Sequence, residues 1–478
     1  MTICDTYSVQ ESSRLGAAGK ATANRFRDRN MRAARRVDWR TALLLLLLTT
    51  PMGVLASELP LLPQFDERIH EGVKTCASST CHGATEPFQD SRILHNAYLT
   101  WHRRDPHSRA WETLWSEDSQ RMAERMGLGA AHEADTCLAC HSGKVPEAYQ
   151  GERFQVSDGV GCETCHGGSG DWLEEHVSGE LSHEAHIERG MYPTADPEAR
   201  AELCMSCHYS HPQAPMTHDL MAAGHPPLLF EVETFRRLQP PHYEYSEAYR
   251  ERKDVASPLD EWLIGQGVAA RAELGAMGER IHGNGGPFPE LEFFHCGSCH
   301  HDIHEPSWET REIAGLSPGT PPIADETLRM VGLILDAFGH DDAGRWRDLT
   351  HDLQVSMVDE RLVTTEISAR MRAIVDGWLT ERRGAEADNR DFARLLAALV
   401  EDGAAAVHSD RELHLQQALA LDSLLAASAW LDEPLSRAHR AGLERGVADV
   451  YAVLETPPGH APGPFRERMR QLRGALPQ

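Results

Sequence analysis

Apolar residues recur at helical spacing through the last third of the chain. Leu328, Val331, Leu335 and Phe338 follow Asp325, a residue suited to an N-cap, and Ile367, Met371, Ile374 and Trp378 repeat the pattern. Further faces come from Phe392, Leu395, Leu396 and Leu399, then Leu421, Leu424, Leu425 and Ala429, then Leu443, Val447, Val450 and Leu454. The pattern predicts a bundle of about five helices over 325–456, followed by a tail over 457–478 that opens on Pro457 and Pro458. Upstream, Ser317-Pro-Gly-Thr-Pro-Pro322 is turn-rich and marks a linker over 313–324. Residues 57–312 show few β-branched alternations. They read as short helices, plus one long helix near 262–281 that packs, after a Pro-broken aromatic loop at 239–245. The fold class expected is therefore mainly α with little strand.

One apolar run has a different character. Leu43 to Leu48 follow Arg32, Arg35, Arg36 and Arg40, and the run closes at Val54-Leu55-Ala56. This is the layout of a secretory signal, so residues 1–56 are read as an N-terminal extension and signal peptide. From Thr41 to Ala56 the run is 16 residues, short of the ~20 that span a bilayer; an uncleaved anchor is the rival reading. Residues 1–30 precede Met31, where a signal of ordinary length would begin, so Cys4 would be absent from the exported chain.

Composition narrows the class. In 478 residues, 41% are hydrophobic and 25% charged, and mean hydropathy is -0.45, which excludes a polytopic membrane protein and a wholly disordered chain. The net charge of -26 becomes -31 without residues 1–56. Such a surface argues against nucleic acid and favours basic partners.

The decisive counts are 11 cysteines and 27 histidines. Ten cysteines form five pairs, each followed at once by histidine: Cys137/Cys140-His141, Cys162/Cys165-His166, Cys204/Cys207-His208 and Cys296/Cys299-His300 as C-x-x-C-H, and Cys76/Cys81-His82 with a gap two residues wider. Two thiols so spaced can form thioethers with the vinyl groups of one haem while the next imidazole meets the iron. Zinc ribbons and disulfides are the rivals, and neither needs the histidines. Chance would place histidine after all five pairs at odds on the order of one in a million, so the pairs are read as five covalent haem c sites, with His82, His141, His166, His208 and His300 as first axial ligands. Between His70 and His304 there are 16 further histidines, against six in the last 174 residues. Second axial imidazoles are thus in ample supply.

The run Cys162-Glu-Thr-Cys165-His166-Gly-Gly with Trp172 and His176, the segment Asp105-Pro106-His107, and Ala223-Gly224-His225-Pro226 resemble the multihaem cytochrome c-554 family of exported electron carriers. The resemblance spans about residues 70–304. Its namesake has four haems, so a fifth motif, a wide first motif and the C-terminal bundle are departures. The resemblance implies closely stacked haems, mostly with two histidine ligands, and favours His225, His95, His107, His176 and His218 as second ligands. His102, His183, His186, His211, His301 and His304 stand in reserve. Met216 and Met221 are read as core.

The leading expectation is an exported pentahaem cytochrome that relays electrons between a respiratory donor and an acceptor. Low haem potentials follow from the acidic chain, and a basic redox protein or a membrane-bound respiratory complex is the expected partner. The alternative is an oxidoreductase with one five-coordinate haem acting on a small nitrogen or sulfur species. No C-x-x-C-K motif of the pentahaem nitrite reductases occurs. A structural subunit of a respiratory complex is a third class. The bundle reads as a cap on the haem region, with a docking module as its rival.

Overall fold

The computed structural model describes residues 61–478 apart from 89–90, 92, 252, 254, 281–289, 301–315, 318, 360, 408–409, 433, 456–461, 475 and 477–478. The expected extension and signal at 1–56, together with Cys4, His301 and His304, lie outside the described residues, as do parts of the linker and tail. The chain is mainly helical with almost no strand, and its few β-pairings are single bridges such as Phe294 with Ile323. Among the described residues no helix is long and apolar enough to cross a membrane.

The principal helices are α1 (Ala97–Arg104), α2 (Glu117–Met126), α3 (Asp135–His141), α4 (Cys162–His166), α5 (Leu173–Ser178), α6 (Pro197–His208), α7 (His218–Ala223), α8 (Val232–Leu238), α9 (Pro258–Arg280), α10 (Glu326–Phe338), α11 (Ala343–Asp359), α12 (Arg361–Arg382), α13 (Asn389–Ala404), α14 (Arg411–Ala427), α15 (Arg437–Leu454) and α16 (Pro462–Arg473). Those before α9 are short because Gly and Pro interrupt the chain and few apolar residues recur there. Among the described residues, the one apolar core confined to this part gathers Leu114, Ala123, Ala131 and Leu138. One continuous core instead runs from Ala201 on α6 to Leu472 on α16.

Helix α9 is the axle. It is buried on nearly every side from Pro258 to Val268, and it packs against α6, α8, α10, α12 and α14. Gly267 permits the closest of these approaches, since a Cβ there would stand 2.8 Å from both Trp378 Cζ3 and Leu379 Cδ2 of α12. Two of the acids that α9 buries, Asp260 and Glu261, are paired with arginines, and its own Arg271 binds an acid of α6. Arg200 reaches Glu261 at 2.8 Å, Arg382 reaches Asp260 at 2.5 Å, and Arg271 joins Glu198 of α6 at 2.8 Å. Glu198 also accepts from Arg383 Nε at 2.9 Å. Removing one member of such a buried pair leaves the other charge uncompensated, at a cost of about 3–5 kcal/mol. Helix α6, which carries the fourth cysteine pair, is thereby locked onto the bundle.

The expected bundle stripes are buried, from Leu328 and Ile367 through Phe392 to Val450. Ala429 is exposed because α14 stops at Ala427. Residues 462–473, read as tail, form α16, which packs on α13 and α15 through Phe465, Met469 and Leu472. The bundle side therefore has seven helices, α10 to α16. Their apolar faces close over α9, which precedes the 313–324 linker in the chain, and residues 59–478 make one compact unit.

Candidate haem-binding site

Three of the five cysteine pairs sit at helix ends, while the first pair spans a turn and the fifth a single 3-10 turn. Helices α3, α4 and α6 each end on the motif histidine, so the last turn presents two thiols and an imidazole together. The third motif is held most tightly. Glu163, 6% exposed, accepts from the amides of Glu71 (2.9 Å), Gly72 (2.7 Å) and Ser169 (2.8 Å) and from Ser169 Oγ (2.6 Å). Gly167 follows the motif at φ +82°, and a Cβ there would lie 2.6 Å from the Gly190 carbonyl. That position requires glycine.

Every motif histidine faces a second imidazole. Ring centres are 6.0 Å apart for His82 and His176, 6.4 Å for His141 and His225, 6.2 Å for His166 and His242, 5.9 Å for His208 and His107, and 6.3 Å for His300 and His218. A ligating imidazole nitrogen lies about 2 Å from its metal, so two rings meeting one ion from opposite sides have centres about 6.4 Å apart. The observed spacings fit one iron between each pair.

Hydrogen bonds and burial prepare these rings. His141 Nδ1 is 3.1 Å from the Ala110 carbonyl and His225 Nδ1 is 2.8 Å from the Pro226 carbonyl. As donors there, both leave Nε2 as the free electron pair. His107 Nδ1 is bound by Asp105 Oδ1 at 2.9 Å, and Gln239 Nε2 donates to Asp105 Oδ2 at 2.9 Å. That hydrogen bond outweighs burial and holds the His107 pKa above its usual value. Burial pushes His166 down to about 3 and His176 and His208 to about 4. It lowers His82, His141 and His242 as well. Neutral imidazole is the form that ligates a metal.

The structure thus brings four of the expected second ligands, His107, His176, His218 and His225, opposite motif histidines. His95 is also near His82, at 6.3 Å. Its Nδ1 and Nε2 are however engaged by the Cys81 carbonyl (2.5 Å) and Ser91 Oγ (3.1 Å), and its backbone is held at φ +58°. Sequence reading missed His242. It lies in the 239–245 loop read as packing, where Pro240 and Pro241 before it were a turn signal like the one that flanks His225. Of the reserves, His102 stacks on Tyr98, His211 on Phe65, and His186 touches His176.

Thiols from different motifs also meet. Cys76 lies beside Cys162, and Cys140 beside Cys207. Cys165 lies near Cys204 and Cys207, and His218 and His225 bracket α7. The motifs therefore neighbour one another in the order first, third, fourth, second, fifth. Of these adjacencies, that of the third and fourth motifs follows chain order and the others do not.

Paired thiols with an adjoining histidine, opposed by a second imidazole at the spacing of one iron, define a c-type cytochrome, an electron-transfer protein with covalently bound haem c. Residues 75–167, which contain the first three motifs, match the family model described as cytochrome c554 and c-prime, and the chain is a c-type cytochrome resembling that family. No curated protein and no solved structure matches it.

Proposed function

We propose that this protein is an exported pentahaem cytochrome that passes electrons between a respiratory donor and an acceptor. The observation that carries the reading is that all five motif histidines face a second imidazole at 5.9–6.4 Å. Cys76, Cys81, Cys137, Cys140, Cys162, Cys165, Cys204, Cys207, Cys296 and Cys299 would hold the haems, whose iron supplies one-electron chemistry. The chain's own part would be to offer each iron two imidazoles, one from the motif and one from His107, His176, His218, His225 or His242, and to set the order of the motifs. The acidic surface suits a basic redox partner. The basic and leucine-rich segment before Ala56 supports export, hence a periplasmic location.

Pyridine haemochrome analysis and low-temperature EPR of protein matured with haem c test the proposal. Five haems per chain, all low-spin and unreactive toward cyanide or hydroxylamine, are expected. Three ligand pairs have near-perpendicular planes (77°, 82° and 87°) and two near-parallel ones (13° and 27°), so both strongly anisotropic and rhombic low-spin signals should appear. Four haems would remove the wide first motif from the count. A high-spin signal that shifts with added ligand would replace the relay by an oxidoreductase.

A further inference from the structure

The fifth motif adjoins a second constellation that haem binding does not use. His295, immediately before Cys296, turns its ring back over the motif, and Gly297 makes room for it: a Cβ there would stand 2.9 Å from His295 Cε1. The His295 amide donates to the Pro322 carbonyl at 3.0 Å, and the Ala324 amide returns to Phe293 at 2.9 Å, so the segment is fixed. His295 Nε2 then faces Glu412 Oε2 at 3.1 Å and Asp410 Oδ1 at 3.5 Å. The three ligand atoms lie within 4.8 Å of one another.

Two features favour an ion at this point over a simple ion pair. His295 Nε2 is buried, yet neither carboxylate oxygen meets it with hydrogen-bond alignment. Oxygens at about 3 Å but off the N–H direction are what ligands gathered around a common ion show. The local charge is also negative. Among the described residues Arg329, 3.4 Å from Asp410 Oδ2, is the one cation besides His295 paired with the two acids, and Glu326 stands near both Asp410 and Glu412.

We propose that His295, Asp410 and Glu412 form a binding site for a divalent transition-metal cation, with zinc as the probe. The site clamps the fifth haem motif to the start of α14. One imidazole nitrogen and two carboxylate oxygens suit such an ion, and the remaining coordination positions are open to water. Asp410 Oδ1 keeps its cap bond to the Leu413 amide at 3.0 Å, and a carboxylate oxygen has a further lone pair for the metal. Because His295 rests between two carboxylates, it carries a proton at neutral pH that the metal must displace.

The test uses the haem-loaded protein, stripped with chelator, dialysed against zinc and analysed for zinc and iron per chain. The wild type should take up one zinc beyond its iron and release a proton as it does so. E412Q, which leaves the cap intact, and D410N, which replaces one capping residue by another, should each weaken uptake at least tenfold while keeping the full haem count. Absence of zinc from the wild type would overturn the site and leave the triad as an ion pair. Equal uptake by wild type and both variants would also overturn it, by placing the zinc on other histidines.

Discussion

Asp105 offers a direct test of how the chain tunes an iron. Its side chain is buried and makes three bonds: Oδ1 accepts from the His107 amide at 3.1 Å and from His107 Nδ1 at 2.9 Å, and Oδ2 accepts from Gln239 at 2.9 Å. Asp105→Asn keeps the shape and a capping oxygen but removes the charge that makes His107 a stronger base. Loss of such an outer partner costs about 10–100-fold in metal affinity. The His107 side chain is 35% exposed, and solvent screening places the effect at the lower end, near tenfold. A poorer imidazole donor disfavours ferric iron, so the potential of the haem served by His208 and His107 should rise. Tenfold corresponds to about 60 mV for a one-electron couple. Potentiometric titration followed in the visible region, with wild type and D105N compared at pH 7, measures it. An unchanged set of potentials, or a fall in one of them, would refute the reasoning.

Other consequences follow from the same geometry. H176A should convert one haem to high spin while H95A leaves all low-spin, by EPR; the reverse would make His95 the partner of His82. H242A should likewise open one haem, that of the third motif. E163A strands four donors, three of them in buried bonds, each of the three costing about 1–3 kcal/mol, so stability should fall by about 3–9 kcal/mol in a denaturation titration; a loss under about 1 kcal/mol would deny Glu163 its role. Burial and the nearby Glu326 and Asp325 raise the Glu273 pKa well above the ordinary value. The folded state therefore binds the proton more tightly, and stability falls as pH rises from about 4.5 upward. E273Q should accordingly be more stable than wild type at pH 8 and flatten the pH profile of melting; equal profiles would show that Glu273 stays charged.

Much of this molecule is legible along the chain because its chemistry is local. A cysteine pair with its histidine lies within one helical turn or one short loop, and a residue count is enough to find it. The bundle stripes are legible for the same reason, since an amphipathic helix carries its buried face in its own periodicity. Helix α16 escaped notice because Phe465, Met469 and Leu472 form a thin stripe in an otherwise charged segment of 12 residues.

Pairing is a different matter. Which imidazole opposes which motif depends on contacts between segments up to 101 residues apart, as for His107 and His208, and no periodicity encodes them. His242 and His95 show the difficulty: one lay in a loop read as packing, and the other, expected from resemblance, has both ring nitrogens already bonded. The adjacency of first with third and second with fourth motifs likewise arises only when α4 and α6 are set against their neighbours. The helical class and the five cysteine–histidine motifs proposed to hold haem could be read from the chain alone, because motif spacing and helical period are short-range. Tertiary structure alone decided the order of the motifs and the grip of α9 on the bundle. It also decided the meeting of His295 with Asp410 and Glu412, because burial and long-range packing choose among many chemically equivalent histidines and acids.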